Sequence, residues 1–205
     1  MKIIDISPLV SGESPIFPGE WKYEHPTLCS HHKGDPFYLS GVKMSPHVGA
    51  HADAPSHYEE NAPGIDEVDL LPYLGPCFVV TCKDTRLIEP KHCEHVLAQN
   101  PERILFRTMS VRDPNAFTRD FTAIAPATIE LLGKHGVLLV GIDTPSVDPA
   151  ASKTLSAHHA LHRWKMRNLE NLRLEEVKDG KYELIALPLK LKGADASPVR
   201  AVLRK

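Results

Sequence analysis

Apolar residues in this chain fall into short runs closed off by proline, glycine or charge, which is how strands read. The run 76–82, PCFVVTC, is β-branched and bounded by proline and charge, and predicts a buried strand. Residues 103–108 predict another, and 137–142, VLLVGI, form the most apolar run of the chain and the expected centre of a sheet. Helical signals lie between them: 89–97 with Pro90 at its first position, and 128–135 after Pro126, with Gly136 as the stop. Further strands are expected at 3–10, at 20–29 paired with 38–44 across the polar turn 31–36, and at about 42–52. Near the end, 182–191 predicts a strand whose Pro188 marks an edge or bulge, and 193–198 a turn before a last strand at 199–203. Residues 14–20, SPIFPGE, can only be a loop, and 61–74 is loop and short helix. The alternation of strands and helices predicts an α/β fold.

Composition adds limits. The chain has 205 residues, 42% hydrophobic and 24% charged, with a formal net charge of −2, which fits one ordinary globular domain spanning 1–205. No polybasic block points to nucleic acid, and no apolar run approaches the roughly 20 residues of a membrane span. The first residues, MKIIDISPLVSG, make neither a secretory signal nor a transit peptide, so a cytoplasmic location is expected. Cys29, Cys77, Cys82 and Cys93 have no CxxC spacing and read as reduced and mostly packed.

The chemistry concentrates in 46–58, PHVGAHADAPSHY. His47, His51, Asp53 and His57 fall on one parity with small residues between them, and imidazoles plus a carboxylate are what a zinc-like ion takes as ligands. In an extended chain His47, His51 and Asp53 share a face, with Ala50, Ala52 and Ala54 packed inward. A helix would also join His47 to His51, but Gly49 and Pro55 argue against one; a strand followed by a turn at Pro55 would bring His57 back. A second cluster, His158-His159-Ala160-Leu161-His162, precedes Asn168-Leu169-Glu170. One straight helix would set His158 and Glu170 about 18 Å apart, too far for one site. If both are ligands, the helix must end near 164–167 and the chain must turn back. Spacing alone leaves His162 as open as His158.

HVGAHADAPSH resembles the HxGTHxDxPxH signature of the cyclase-like metal amidohydrolases, the family of the kynurenine formamidases, with Ala50 where the family usually has threonine. The resemblance continues in Asp143-Thr144-Pro145-Ser146-Val147-Asp148-Pro149, at the end of the predicted central strand, and in the ending GADASPVRAVL. It implies a mixed β-sheet core in β/β/α layers with flanking helices. It also implies two divalent ions per chain, most simply zinc, one held by His47, His51 and Asp53 and the second by Asp53, His158 and Glu170, with Glu170 a bridging carboxylate. By the same resemblance Phe17, where the family usually has tryptophan, touches the aromatic ring of a substrate, a local core plug being the alternative; the substrate is N-formyl-L-kynurenine, and the protein is a homodimer. His57 would be the acid and base, a role that suits a side chain whose free pKa is about 6.5; the alternative is a further ligand. The residues themselves support metal-assisted hydrolysis of an amide. Opening of a cyclic amide such as isatin, and a non-catalytic metal module, remain alternatives, although structural zinc sites are usually rich in cysteine and none stands near either cluster.

Overall fold

The computed structural model describes residues 1–111, 113 and 115–205. Its strands are β1 (Ile3–Asp5), β2 (Thr27–Cys29), β3 (Leu39–Ser40), β4 (His51–Asp53), β5 (Leu74–Thr81), β6 (Leu87–Ile88), β7 (Arg103–Arg107), β8 (Ala123–Ile124), β9 (Leu139–Ile142), β10 (Arg167–Glu170), β11 (Gly180–Ile185), β12 (Ala196–Pro198) and β13 (Val202–Arg204). The α-helices are α1 (Glu94–Leu97), α2 (Pro126–Lys134) and α3 (Ser156–Arg163). Nine strands make one mixed sheet in the order β1-β13-β11-β5-β7-β9-β10-β4-β12, parallel from β5 to β10 and antiparallel outside it.

Alternation along the central strands gives the sheet two apolar faces. Cys77, Val79, Leu105 and Leu139 point into one core and Phe78, Val80, Ile104, Phe106, Val140 and Ile142 into the other. The first core also takes Leu203 from β13 and Ala52 from β4, near opposite ends of the sheet, so the sheet curls around it. The second core is covered by helices: α2 contributes Ile129 and Leu132, and α3 contributes Ala157, Ala160 and Leu161. The result is the expected β/β/α layering. Gly133 of α2 packs against Trp164, the residue that follows α3: a Cβ there would lie 2.2 Å from the Trp164 ring.

Several elements are shorter than their apolar runs predict, because proline and turn residues cut them. The first strand ends at Asp5, before Pro8, and the strand expected at 182–191 ends at Ile185, before Pro188. The pairing of 20–29 with 38–44 survives as β2 with β3 plus a bridge from Glu24 to Lys43. The strand expected at 42–52 is corrected to His51–Asp53, since the chain turns at 45–48 and passes through Gly49 at φ +75°. Only glycine serves there: the conformation is left-handed, and a Cβ would meet Val10 at 2.6 Å. The turn expected at 193–198 is in part a strand, as Ala196–Pro198 pairs with β4, and the last strand is Val202–Arg204.

Candidate active site

β4 lies between β10 and β12 and is wholly buried, which sends Ala50, Ala52 and Ala54 into the apolar core and leaves His51 and Asp53 to face the site. Ala50, in place of the family threonine, therefore alters the core side of the segment. His47 reaches the same place from the turn before Gly49, so the shared parity works through a left-handed residue and not through a continuous strand. Beyond β4, Pro55–His57 form a single 3-10 turn that folds His57 back to 4.4 Å from the His47 ring, centroid to centroid.

The second cluster arrives from the neighbouring strand. α3 stops at Arg163, Lys165 takes φ +54°, and Met166 N–H reaches back to the Leu161 carbonyl at 2.9 Å, a left-handed helix stop made without glycine. The chain then returns as β10, pairing with β9 on one side and β4 on the other, where Glu170 stands opposite His51. His158 lies on the buried stripe of α3. His159 and His162 do not join the group: the His159 ring faces Glu59, and both pack edge-on against Tyr58.

Nitrogens and carboxylate oxygens in the group keep a telling separation. His47 Nδ1 is 3.2 Å and His51 Nε2 3.4 Å from Asp53 Oδ1, and His51 Nε2 is also 3.4 Å from Glu170 Oε2. On the other side His158 Nε2 is 3.3 Å from Asp53 Oδ2 and 3.5 Å from Glu170 Oε1. Ligands about 2.0–2.1 Å from a tetrahedral centre lie about 3.3 Å from one another. His51 Nε2 and Asp53 Oδ1 are buried and have no hydrogen-bond partner, so they are donor atoms aimed at an acceptor of another kind. Each of the two carboxylates turns one oxygen to each side, so the triads His47-His51-Asp53 and Asp53-His158-Glu170 adjoin. The residues fit a pair of divalent cations.

Neighbouring groups fix the orientation of each donor. The His51 ring donates from Nδ1 to the Gly49 carbonyl at 2.9 Å, leaving Nε2 free. Asp148 accepts from His158 Nδ1 at 2.7 Å and from the Ala157 and His158 backbone N–H groups, so it caps α3 and orients its histidine together. Asn168 donates to Asp53 at 2.6 Å and Glu170 at 3.1 Å, and the Val147 N–H donates to Glu170 at 2.8 Å. Asp195 Oδ2 accepts from His47 Nε2 at 3.0 Å and from His57 Nδ1 at 3.3 Å.

The electrostatics call for positive charge. Burial opposes charging His51, yet Asp53 and Glu170 beside it raise it to about 10. His47 is likewise raised to about 9 against burial, by Asp195 and Asp53, and His158 well above its ordinary value by Asp148, Asp53 and Glu170. Burial would raise Asp53, but the His158, His47 and His51 rings hold it well below the usual carboxylate range. The buried carboxylates thus demand cations, whether protons or metal.

Above the donors opens a cleft of about 300 Å³ lined by Phe17, Phe117, His57, Pro145 and Leu155. The Phe17 and Phe117 rings stand 4.8 Å apart in a tilted pair, so Phe17 is both a wall of the cleft and packed against a neighbour. Sequence reasoning did not single out Phe117, Asn168 or the individual carboxylates Asp148 and Asp195. The last two sit in the DTPSVDP and GADASP stretches, which offered the only signal.

Residues 4–149 match the family described as "Putative cyclase". The kynurenine formamidase of Bordetella pertussis is 53% identical over 205 residues, covering 100% of this chain and 98% of its own. A solved structure described as a potential metal-dependent hydrolase with cyclase activity superposes with a TM-score of 0.86 at 26% identity, covering 98% of this chain and 96% of its own. Isatin hydrolase A of Labrenzia aggregata superposes with a TM-score of 0.83 at 23% identity over 98% of this chain and 93% of its own, a likeness of fold. With a family match across most of its length and a formamidase identical at more than half of its positions, the chain belongs to the cyclase family of metal-dependent hydrolases, among the kynurenine formamidases.

Proposed function

We propose that this protein is a metal-dependent arylformamidase that hydrolyses N-formyl-L-kynurenine to L-kynurenine and formate. The observation that carries the reading is the pair of adjoining donor triads at the floor of a cleft with aromatic walls, with His57 at its side. The 53% identity to a kynurenine formamidase supports this substrate over isatin.

His47, His51 and Asp53 would hold one ion and Asp53, His158 and Glu170 the second, with zinc the best match to a nitrogen and oxygen donor set. Bound there, divalent ions supply Lewis acidity, lowering the pKa of water toward about 7 and polarising a carbonyl oxygen. Phe17 and Phe117 seat the flat aryl ring, and the small cleft suits a substrate of that size. His57 takes a proton from the attacking water as the C–O bond forms, then returns it to the aryl amine nitrogen as the C–N bond breaks. Without that proton the amine is a poor leaving group. His57 is one third exposed, which suits proton exchange better than ligation in a closed site.

A homodimer and a cytoplasmic location complete the reading. Leu28, Phe37, Tyr38, Leu39 and Val42, on and around the β2–β3 hairpin, are each exposed apolar side chains that a second copy would cover, and free cysteines suit a reducing compartment. The pairing of β1 with β13 supports treating 1–205 as one catalytic domain. Assay of the purified protein on N-formyl-L-kynurenine, with chelator and then with zinc restored, tests the function directly. Turnover that chelator leaves untouched would overturn it.

A further inference from the structure

We propose that Asp195 is a positioning residue for this reaction, one carboxylate oxygen fixing the tautomers of both His47 and His57. Its Oδ2 lies 3.0 Å from His47 Nε2 and 3.3 Å from His57 Nδ1, and these rings are its carboxylate's hydrogen-bond partners among the described residues. A carboxylate only accepts, so each of those nitrogens must carry its hydrogen. On His47 that leaves Nδ1 with its lone pair, the nitrogen that faces Asp53 Oδ1 and joins the donor triad. On His57 it leaves Nε2 as the nitrogen able to take up and release a proton. The metal side and the proton-transfer side of the site thereby share one anchor.

The fold holds Asp195 there by main chain. β12 runs antiparallel to β4 with Ala196 opposite Asp53, and the Ala54 N–H donates to the Asp195 carbonyl at 2.9 Å. The side chain itself is about half exposed, where an ion pair adds little to stability, so its loss should spare the fold. Orientation is where its contribution lies, because a carboxylate behind a histidine ligand is worth about 10- to 100-fold in metal affinity.

The inference rests on the roles proposed above for His47 and His57, and Asp195→Asn tests it. Three quantities are read: zinc affinity by competition with a chromophoric chelator, kcat and KM on N-formyl-L-kynurenine, and the His57 tautomer from long-range ¹H–¹⁵N spectra of the zinc-loaded protein. Zinc affinity should fall about 10- to 100-fold. At saturating zinc kcat should fall at least about 10-fold with KM nearly unchanged, and hydrogen should shift from Nδ1 toward Nε2 of His57. Asp195→Glu should recover part of each loss, and Asp195→Ala reads the same quantities if the asparagine variant does not fold. Wild-type zinc affinity and tautomer in Asp195→Asn, or a change at one ring without the other, would overturn the shared role. His57→Ala separates the failures: if it keeps full activity, the reading of His57 falls, whereas if it is inactive while Asp195→Asn is wild type, only Asp195 loses its role.

Discussion

His158 Nε2 stands 3.3 Å from Asp53 Oδ2 although 105 residues of chain separate them. The contact joins the two donor clusters, and it exists because β10 returns beside β4 immediately after α3 ends. What the site does follows from that juncture.

Metal stoichiometry is the first consequence. Asp53 and Glu170 each offer one oxygen to either side, so exhaustively dialysed protein should retain close to two zinc ions per chain, and Glu170→Ala should weaken both. Elemental analysis decides it; a single ion that is indifferent to Glu170→Ala would contradict the dinuclear site.

The second concerns His57. His57→Ala should keep near wild-type metal while kcat falls about 10²- to 10⁴-fold. An activated ester, whose leaving group needs little protonation, should suffer less than the formamide. Metal lost together with activity would make His57 a ligand instead.

Asp148 yields a prediction that sequence inspection would not have made. It is buried and serves His158 Nδ1 and two backbone N–H groups of α3. Asp148→Asn should therefore lower zinc affinity about 10- to 100-fold and cost about 1–3 kcal/mol of stability. Chelator competition and thermal unfolding measure the two effects, and an unchanged metal affinity would detach Asp148 from the site.

Acidity gives a further check on the metal-free protein. His47 and His51 are raised to about 9 and about 10 in the fold, above the free value of about 6.5. The stability their protonated rings contribute is complete below about pH 6.5 and is lost as pH rises through about 9 and 10. Chelator-treated protein should therefore lose melting temperature between pH 7 and 10.5, and zinc should suppress much of that loss. A melting temperature in the metal-free protein that rises over this interval would be the contrary result.

Substrate choice follows from the cleft. N-formyl-L-kynurenine should be turned over far better than isatin or an aliphatic formamide, and Phe17→Ala or Phe117→Ala should raise KM more than they lower kcat. Comparable kcat/KM on all three substrates would remove the aryl formamide preference.

The chain by itself determined its chemistry and its central strands. HVGAHADAPSH holds His47, His51, Asp53 and His57 within one short segment, so the donor types and their closeness along the chain are legible there, and runs such as 76–82 and 137–142 are apolar on both faces because helices and the curled sheet cover both sides. The end of α3 near Trp164 was legible once the family resemblance made His158 and Glu170 ligands of one site, because one straight helix could not bring the two together. Which distant carboxylates stand behind the histidines depends on long-range packing that no local run of residues reveals. Asp195 lies 148 residues from His47, and its place depends on β12 joining the edge of the sheet beside β4, a short strand carrying a proline that reads as a turn. Strand length at Gly49 was hidden for a related reason: the backbone there is left-handed and packs so close to Val10 that a Cβ has no room, a contact between segments that no local pattern encodes.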